Sequence, residues 1–393
     1  MKKITVIIFI NTYLPGVKSG GPIRSIVNLI EHLGRQIDFK IITSDRDLGD
    51  ANAYSNIAID DWNIVGNASV FFMSPKYQNM KNMLRILKET PHDIIYINSF
   101  FNFRFSIILF VMRKLKLFTS PILIAPRGEF MDGAINIKRL KKKIFLFVSY
   151  LIGLYDSCTW QASNNMEADF IKKCKFLRIK KLIIVSNLPS VAYNNIAEHS
   201  EKRTNFLRIC YIARISEKKN LYFIFEILNK VKHNIIFDIY GPIGNVSYWN
   251  KCQTIINQMS KNISISYKGI IDHSIVVETI KKYDLFFMPT YGENFGHSII
   301  EAMLAGTPVL ISNTTPWRDL ASAGVGWDKS LDKPQGFLDV INQLVPMTED
   351  DYFPLRKKVF IYAENYTLDK GLIQKHLNMF LSVHVNASLK DNP

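Results

Sequence analysis

The chain is expected to be an α/β protein made of two doubly wound domains. Three observations carry this. Short apolar runs of strand length alternate with amphipathic segments of helix length, a pattern that makes parallel sheets covered by helices on both faces. The 393 residues exceed one ordinary hydrophobic core. Two series of the same style are separated by Asn187 to Arg203, a polar, proline-containing stretch without a period, read as the interdomain linker.

The first series opens with Met1-Lys2-Lys3 and the apolar run Ile4 to Ile10. This run is too short for a signal peptide, no small-residue cleavage site follows it, and it reads as the first buried strand. Gly20-Gly21-Pro22 follows. Glycines let the backbone approach a ligand, and proline suits the first helical turn, so a helix is expected over 22–35. Further strands are expected at 39–44, 68–74, 93–98, 121–125, 158–162 and 181–186, with helices at 78–89, 103–117, 138–154 and 165–175. This defines a first domain over 1–190.

The second series starts with the strand Leu207 to Ile212. Asn220 is expected to cap a helix whose apolar positions Leu221, Ile224, Phe225, Leu228 and Val231 follow the helical period. Strands at 235–240, 263–267 and 284–289 end at Gly241, Gly269 and a glycine loop, and Asp272 starts a helix to about Tyr283. The second domain is placed at 205–368.

Composition narrows the function. A hydrophobic share of 48% with 21% charged residues excludes a disordered chain. Cys158, Cys174, Cys210 and Cys252 are widely spaced, so no zinc site or disulfide framework is indicated, and a reducing cytoplasm fits. No stretch is long and apolar enough to span a bilayer. The net charge of +15 calls for an anionic partner. No nucleic-acid module is present. The densest run, Lys138-Arg139-Leu140-Lys141-Lys142-Lys143, leads into an apolar aromatic helix on which Leu140, Ile144, Phe147, Val148 and Leu151 share a face. Lys138 to Tyr150 suits an anionic membrane surface, where each basic residue contributes about 1 kcal/mol. The same pattern also suits a core helix with a solvated basic start. Phe100 to Phe118, punctuated by Arg104, Arg113, Lys114 and Lys116, is a second candidate.

The most informative stretch is Gly292-Glu293-Asn294-Phe295-Gly296-His297-Ser298-Ile299-Ile300-Glu301-Ala302-Met303-Leu304-Ala305-Gly306-Thr307-Pro308, set between the apolar runs Leu285–Met288 and Val309–Ile311. It is a strand–loop–helix–strand unit with one glutamate in the loop and one on the first turns of the helix. Ligands bind open parallel sheets in such loops, and the first amides of the helix attract anions. Phosphate on the amides and hydroxyl-rich groups on the glutamates describe a sugar nucleotide.

This stretch resembles the E-x7-E signature of the retaining GT4 glycosyltransferases of GT-B fold, a likeness strongest over 207–312. The resemblance implies two Rossmann-like domains facing each other across a cleft, with a last helix, at about 369–383, bringing residues 369–393 back onto the first domain. It implies that Gly20 and Gly21 line the cleft near the donor phosphate. It implies that Arg214 and Lys219 grip the diphosphate, that Glu293 contacts the donor sugar, and that the amides of Asn294, Phe295 and Gly296 meet the sugar and the β-phosphate. Glu301 would accept from the ribose hydroxyls. The loops after Tyr240 and Lys268 would frame the base. Fixed cations aimed at the departing diphosphate stabilise the transition state more than the ground state. No metal or other cofactor is expected, and Asp45-Arg46-Asp47 is too local to be a metal cluster. One departure stands out: Arg127, in Ala125-Pro126-Arg127-Gly128, occupies the place of a histidine common in the family, and Asn98-Ser99 ends a strand where a histidine pair often sits. Arginine cannot serve as a base; it can bind the sugar, an acceptor phosphate or the leaving group. His297 would touch the donor or play a buried capping role.

The expected activity is transfer of a sugar from a nucleotide-sugar donor to a hydroxyl of a glycan, including one linked to polyprenyl diphosphate, in bacterial O-antigen, capsule or exopolysaccharide assembly. The expected place is the cytoplasm, peripheral to the inner face of the membrane. The alternatives are a non-hydrolysing nucleotide-sugar epimerase and a non-catalytic nucleotide-sugar-binding protein.

Overall fold

Strands buried on both faces are near-continuous apolar runs, and this is how the sheets of this protein are written. The computed structural model describes residues 3–131, 135, 139–191 and 201–388. The chain divides into two compact units, Met1–Leu188 with Lys370–Pro393, and Pro189–Asp369.

Among the described residues the first unit holds eight strands: β1 (Ile4–Phe9), β2 (Ile37–Ser44), β3 (Trp62–Val65), β4 (Ala68–Met73), β5 (Ile94–Ile97), β6 (Ile122–Ile124), β7 (Thr159–Ala162) and β8 (Lys181–Ile184). Their spatial order is β3-β4-β2-β1-β5-β6-β7-β8, all parallel except the pairing of β3 with β4. In the centre, Phe9 of β1 pairs with Ile42 on one side and Ile97 on the other. The connecting helices are α1 (Gly21–Leu33), α2 (Met80–Glu89), α3 (Ile108–Lys114), α4 (Arg139–Leu151) and α5 (Asn165–Lys173). Asparagine starts two of them. Asn79 accepts from the Asn82 amide and Asn164 from the Glu167 amide, satisfying donors the helix cannot use. The expected helix 103–117 begins instead as a π turn, Phe103–Ile107, before α3.

The second unit holds β9 (Phe206–Ile212), β10 (Asn234–Tyr240), β11 (Ile263–Gly269), β12 (Leu285–Met288), β13 (Val309–Ser312) and β14 (Gly326–Lys329), in the order β11-β10-β9-β12-β13-β14. Every pairing is parallel. Its helices are α6 (Leu221–Leu228), α7 (Val246–Ile256), α8 (Val276–Ile280), α9 (His297–Leu304), α10 (Leu320–Ala323), α11 (Gln335–Leu344) and α12 (Glu349–Thr367). Asn220 corrects the sequence reading: it stands at the start of α6, but in the left-handed region with φ 56°, and its side chain makes no cap. The helix also ends at Leu228, so Val231 packs from the following turn. Asp272 starts a single 3-10 turn, His273–Ile275, ahead of α8.

The last helix, α13 (Lys370–Ser388), belongs to the first unit. Phe380 packs edge-on against Phe39 and Tyr96 at 5.9 and 5.5 Å between ring centres. Nε2 of His376 donates to the Ser186 carbonyl at 2.7 Å. Asn28 of α1 grips the neighbouring Leu188 carbonyl at 2.9 Å. The expected linker falls largely on 192–200, outside the described residues.

Candidate active site

Strand order locates the site in the second unit. Chain order runs outward from β9 to β11 on one side and from β12 to β14 on the other. The crevice of such a sheet opens where these directions part, at the carboxyl ends of β9 and β12. Arg214 and Lys219 follow β9, and Glu293 follows β12.

The loop after β9 is laced to its neighbour. The Ala213 amide donates to the Tyr240 carbonyl at 3.1 Å, the Ile215 amide to Pro242 at 2.9 Å, and the Gly244 amide to Ile215 at 3.0 Å. Two glycines make this possible. A Cβ on Gly241, at φ +130°, would lie 2.1 Å from the Ala213 carbonyl oxygen. One on Gly244 would lie 2.4 Å from Cδ of Arg214. The Arg214 stem therefore lies across Gly244.

Lys219 closes the 3-10 turn Glu217–Lys219. The β12 loop is tied to that turn by the Tyr291 amide and the Thr290 hydroxyl, which donate to the Lys218 carbonyl at 2.9 and 3.1 Å. This brings Nζ of Lys219 onto Oε2 of Glu293 in a close ion pair, with 21% and 16% of the two side chains exposed. Burial pushes the Glu293 carboxyl up, but the charge and hydrogen bond of Lys219, aided by Lys218 and the Asn294 amide, bring it below the usual 4.5.

Gly296 starts α9 with φ +85°, and a Cβ there would meet Ile299 Cδ1 at 2.6 Å and Glu293 Cγ at 3.2 Å. The Asn294 amide turns to the Glu293 carboxylate at 3.2 Å. The Phe295 side chain is core, against Trp317 and His297, and its carbonyl accepts from the Trp317 indole at 2.5 Å. Only the backbone of Phe295 is left for a ligand. Glu301, buried on α9, is met by Nε2 of His273 at 2.8 Å.

In the first unit Gly20 starts α1 at φ 61°, with Gly21 and Pro22 in the first turn. Asp47 holds the preceding loop, accepting from the Val17 and Lys18 amides at 2.7 and 3.1 Å. Arg127, at φ 55°, is braced rather than loose. Its Nε and Nη2 donate to Asn98 Oδ1 at 2.9 and 2.7 Å, Nη2 also to the Tyr96 hydroxyl at 2.7 Å, and Nη1 to Asn187 Oδ1. All these partners are neutral. Glu167 and Glu129 secure the surrounding loops: Glu167 accepts from the Gly128 and Ser163 amides, and Glu129 from the Phe100 and Phe101 amides. Burial holds Glu129 above the usual carboxylate range despite those bonds.

The amphipathic helix α4 turns its apolar stripe outward. Leu140 is 72% exposed, Ile144 56%, Phe147 49%, Val148 47% and Leu151 61%. That stripe does not belong to a core. Lys138 lies outside the described residues; Arg139, Lys141, Lys142 and Lys143 are on α4. No helix of the described residues is long and apolar enough to cross a membrane.

Sequence reasoning named the residues of the two loops, and named Asp47 only in a run too local to hold a metal; it missed His273 and Gly244. Both lie outside any recognisable motif and are delivered by the packing of neighbouring loops and helices.

Residues 193–367 match the family of glycosyl transferases group 1, so the second unit is a domain of that kind. The chain is 24% identical over 247 residues to the UDP-N-acetylglucosamine–peptide N-acetylglucosaminyltransferase GtfA subunit of Streptococcus agalactiae, covering 54% of this chain and 47% of that one. This chain thus spans about half the length of that relative. It is 24% identical over 328 residues to alpha-monoglucosyldiacylglycerol synthase of Streptococcus pneumoniae, covering 77% and 70%. Among solved structures it is similar to Anabaena HepE in complex with UDP-glucose, with a TM-score of 0.69, 13% identity and coverage of 96% and 99%. The two parallel-sheet units are those of the GT-B glycosyltransferases.

Proposed function

We propose that this protein, whose second unit is a group 1 glycosyltransferase domain, is a retaining glycosyltransferase of the GT4 kind. It transfers a sugar from a UDP-sugar to a hydroxyl of a lipid-linked glycan in bacterial surface polysaccharide assembly. The observation that carries the reading is the Lys219–Glu293 pair at the parting point of the second sheet, beside Arg214 and the glycine-opened start of α9. The UDP-sugars named for a relative and for the HepE complex support the choice of nucleotide.

In this mechanism the bond between the anomeric carbon and the β-phosphate oxygen breaks, and the bond to the acceptor oxygen forms on the same face. Negative charge grows on the departing diphosphate. Arg214 and Lys219 meet it, with the amides of Asn294, Phe295 and Gly296, and perform the part that a metal plays in other glycosyltransferases. The departing phosphate takes the acceptor proton. Glu293 holds donor-sugar hydroxyls, and its pairing with Lys219 keeps it ionised and accepting. Glu301 accepts from the ribose. Arg127 adds a fixed positive charge in the first unit, for a sugar or an acceptor phosphate.

A membrane-bound acceptor is supported by α4, which exposes a stripe of five large apolar residues on a helix bearing Arg139 and three lysines. Such a stripe suits the boundary of an anionic bilayer. The pneumococcal relative, named an alpha-monoglucosyldiacylglycerol synthase, points the same way. Sedimentation with anionic liposomes tests this: binding at low salt that weakens at high salt is expected, and no binding at either would move the acceptor into solution. NMR of the product tests retention, since an α-linked donor must give an α linkage.

A further inference from the structure

Glu301 is held from outside its own helix. A carboxylate oxygen can only accept, so Nε2 of His273, 2.8 Å from Oε1, carries the proton and donates it. The imidazole comes from the turn after β11. There Asp272 Oδ1 accepts from the Ser274 amide at 2.8 Å and its hydroxyl at 2.6 Å, fixing the 3-10 turn His273–Ile275. The strand end that leads towards the turn is tied to the end of β10, where the Gly241 amide donates to the Gly269 carbonyl at 2.8 Å. The His273 side chain is 26% exposed and Glu301 only 6%. The histidine is thus the more exposed partner of a buried acid.

The last torsion of a glutamate is broad and roughly two-fold, so an unrestrained carboxylate samples many planes. A fixed donor on one oxygen favours one of them. We propose that His273 is a positioning residue of the nucleotide site. It sets the plane of the Glu301 carboxylate for the 2′- and 3′-hydroxyls of a ribose, and so sets the preference for ribo- over 2′-deoxyribonucleoside diphosphates. This rests on the second unit being the donor site. An acceptor oriented before binding loses less on binding. A site built for a hydroxyl rejects the analogue lacking it, because a buried polar group is left unpaired.

The test is calorimetric titration of UDP and 2′-deoxy-UDP into the wild type, His273→Ala, His273→Gln, Glu301→Gln and Lys219→Ala. The wild type should prefer UDP about tenfold or more. His273→Ala should shrink that ratio to about threefold or less, and His273→Gln, which keeps an N–H donor, should recover part of it. Lys219→Ala should weaken both ligands alike and leave the ratio unchanged. A ratio lost in Glu301→Gln but intact in His273→Ala would overturn the role of His273 and leave the donor site standing. UDP binding with no preference in the wild type would overturn the ribose contact, and with it the proposal. No binding of either ligand would overturn the donor site itself.

Discussion

Lys219 and Glu293 act as one unit, and their substitutions should not add. Removing one member leaves the other charged and largely out of water, which costs more than the pair gains over neutral packing. Lys219→Ala is expected to lower kcat/KM for the donor about 100-fold, the effect of losing one donor to a growing negative charge. It should also cost about 1–3 kcal/mol in urea denaturation. The Lys219→Ala/Glu293→Ala double variant should lose no more stability than the worse single one. The folded carboxyl of Glu293 titrates below its ordinary 4.5. Stability from the pair is therefore present at neutral pH and is lost only as pH falls through that lower value. Gly244→Ala probes Arg214 without touching it. The new Cβ, 2.4 Å from Arg214 Cδ, must push the stem aside. UDP affinity should fall about tenfold with the melting temperature nearly unchanged; unaltered affinity would show that Arg214 does not reach the ligand. At this scale the motif glutamates and the Arg214 and Lys219 pair were legible from spacing. His273 and Gly244 were not. His273 stands 28 positions from Glu301, and the packing of α8, which follows the His273 turn, against α9 brings them together.

At the scale of elements, two helices make separable statements. Replacing Ile144, Phe147 and Leu151 of α4 with serine removes largely exposed apolar surface together with the edge-on contact of Phe147 with Phe176, so folding and UDP binding should persist. Liposome binding should fall at least tenfold, since burying each such side chain contributes about 1.5–3 kcal/mol; undiminished sedimentation would deny α4 this role. Helix α13 carries a pH signature. Burial lowers His376 from 6.5 to about 4, so the folded state stays neutral there while the unfolded chain binds a proton. Stability should therefore fall as pH drops from about 6.5 towards 4, by about 3 kcal/mol. His376→Gln should flatten that slope in denaturation curves taken across this range. The strands and helices with strong periods were readable in advance. β3 was missed because it is a four-residue antiparallel edge strand whose Ile64 is 79% exposed, so no alternation marks it. α12 was missed because Pro354 and the run Arg356-Lys357-Lys358 break up its apolar period. Yet Arg356 is buried and donates to the Tyr283 carbonyl at 2.5 Å. Asn220 looked like a cap from its neighbours alone, and its left-handed backbone shows that the preceding turn decides otherwise.

For the whole molecule, the chain order of each sheet accounts for where its polar loops gather. In the second unit it collects Arg214, Lys219 and Glu293 at one end of a sheet whose central strands are largely apolar and buried. The proposed chemistry follows from that gathering and predicts a nucleotide preference. A site in which Glu301 receives a ribose diol should take dTDP, which lacks the 2′-hydroxyl, less well than UDP. The decisive experiment is thermal unfolding with UDP-, GDP- and dTDP-sugars and the free diphosphates, on the wild type and on Glu293→Ala/Glu301→Ala. A ligand present at a hundred times its dissociation constant stabilises by about 2.7 kcal/mol. UDP and a UDP-sugar should stabilise the wild type by about this much and leave the double variant unmoved. Stabilisation of both proteins alike, or of neither by any of these nucleotides, would contradict a nucleotide-sugar site built on Glu293 and Glu301.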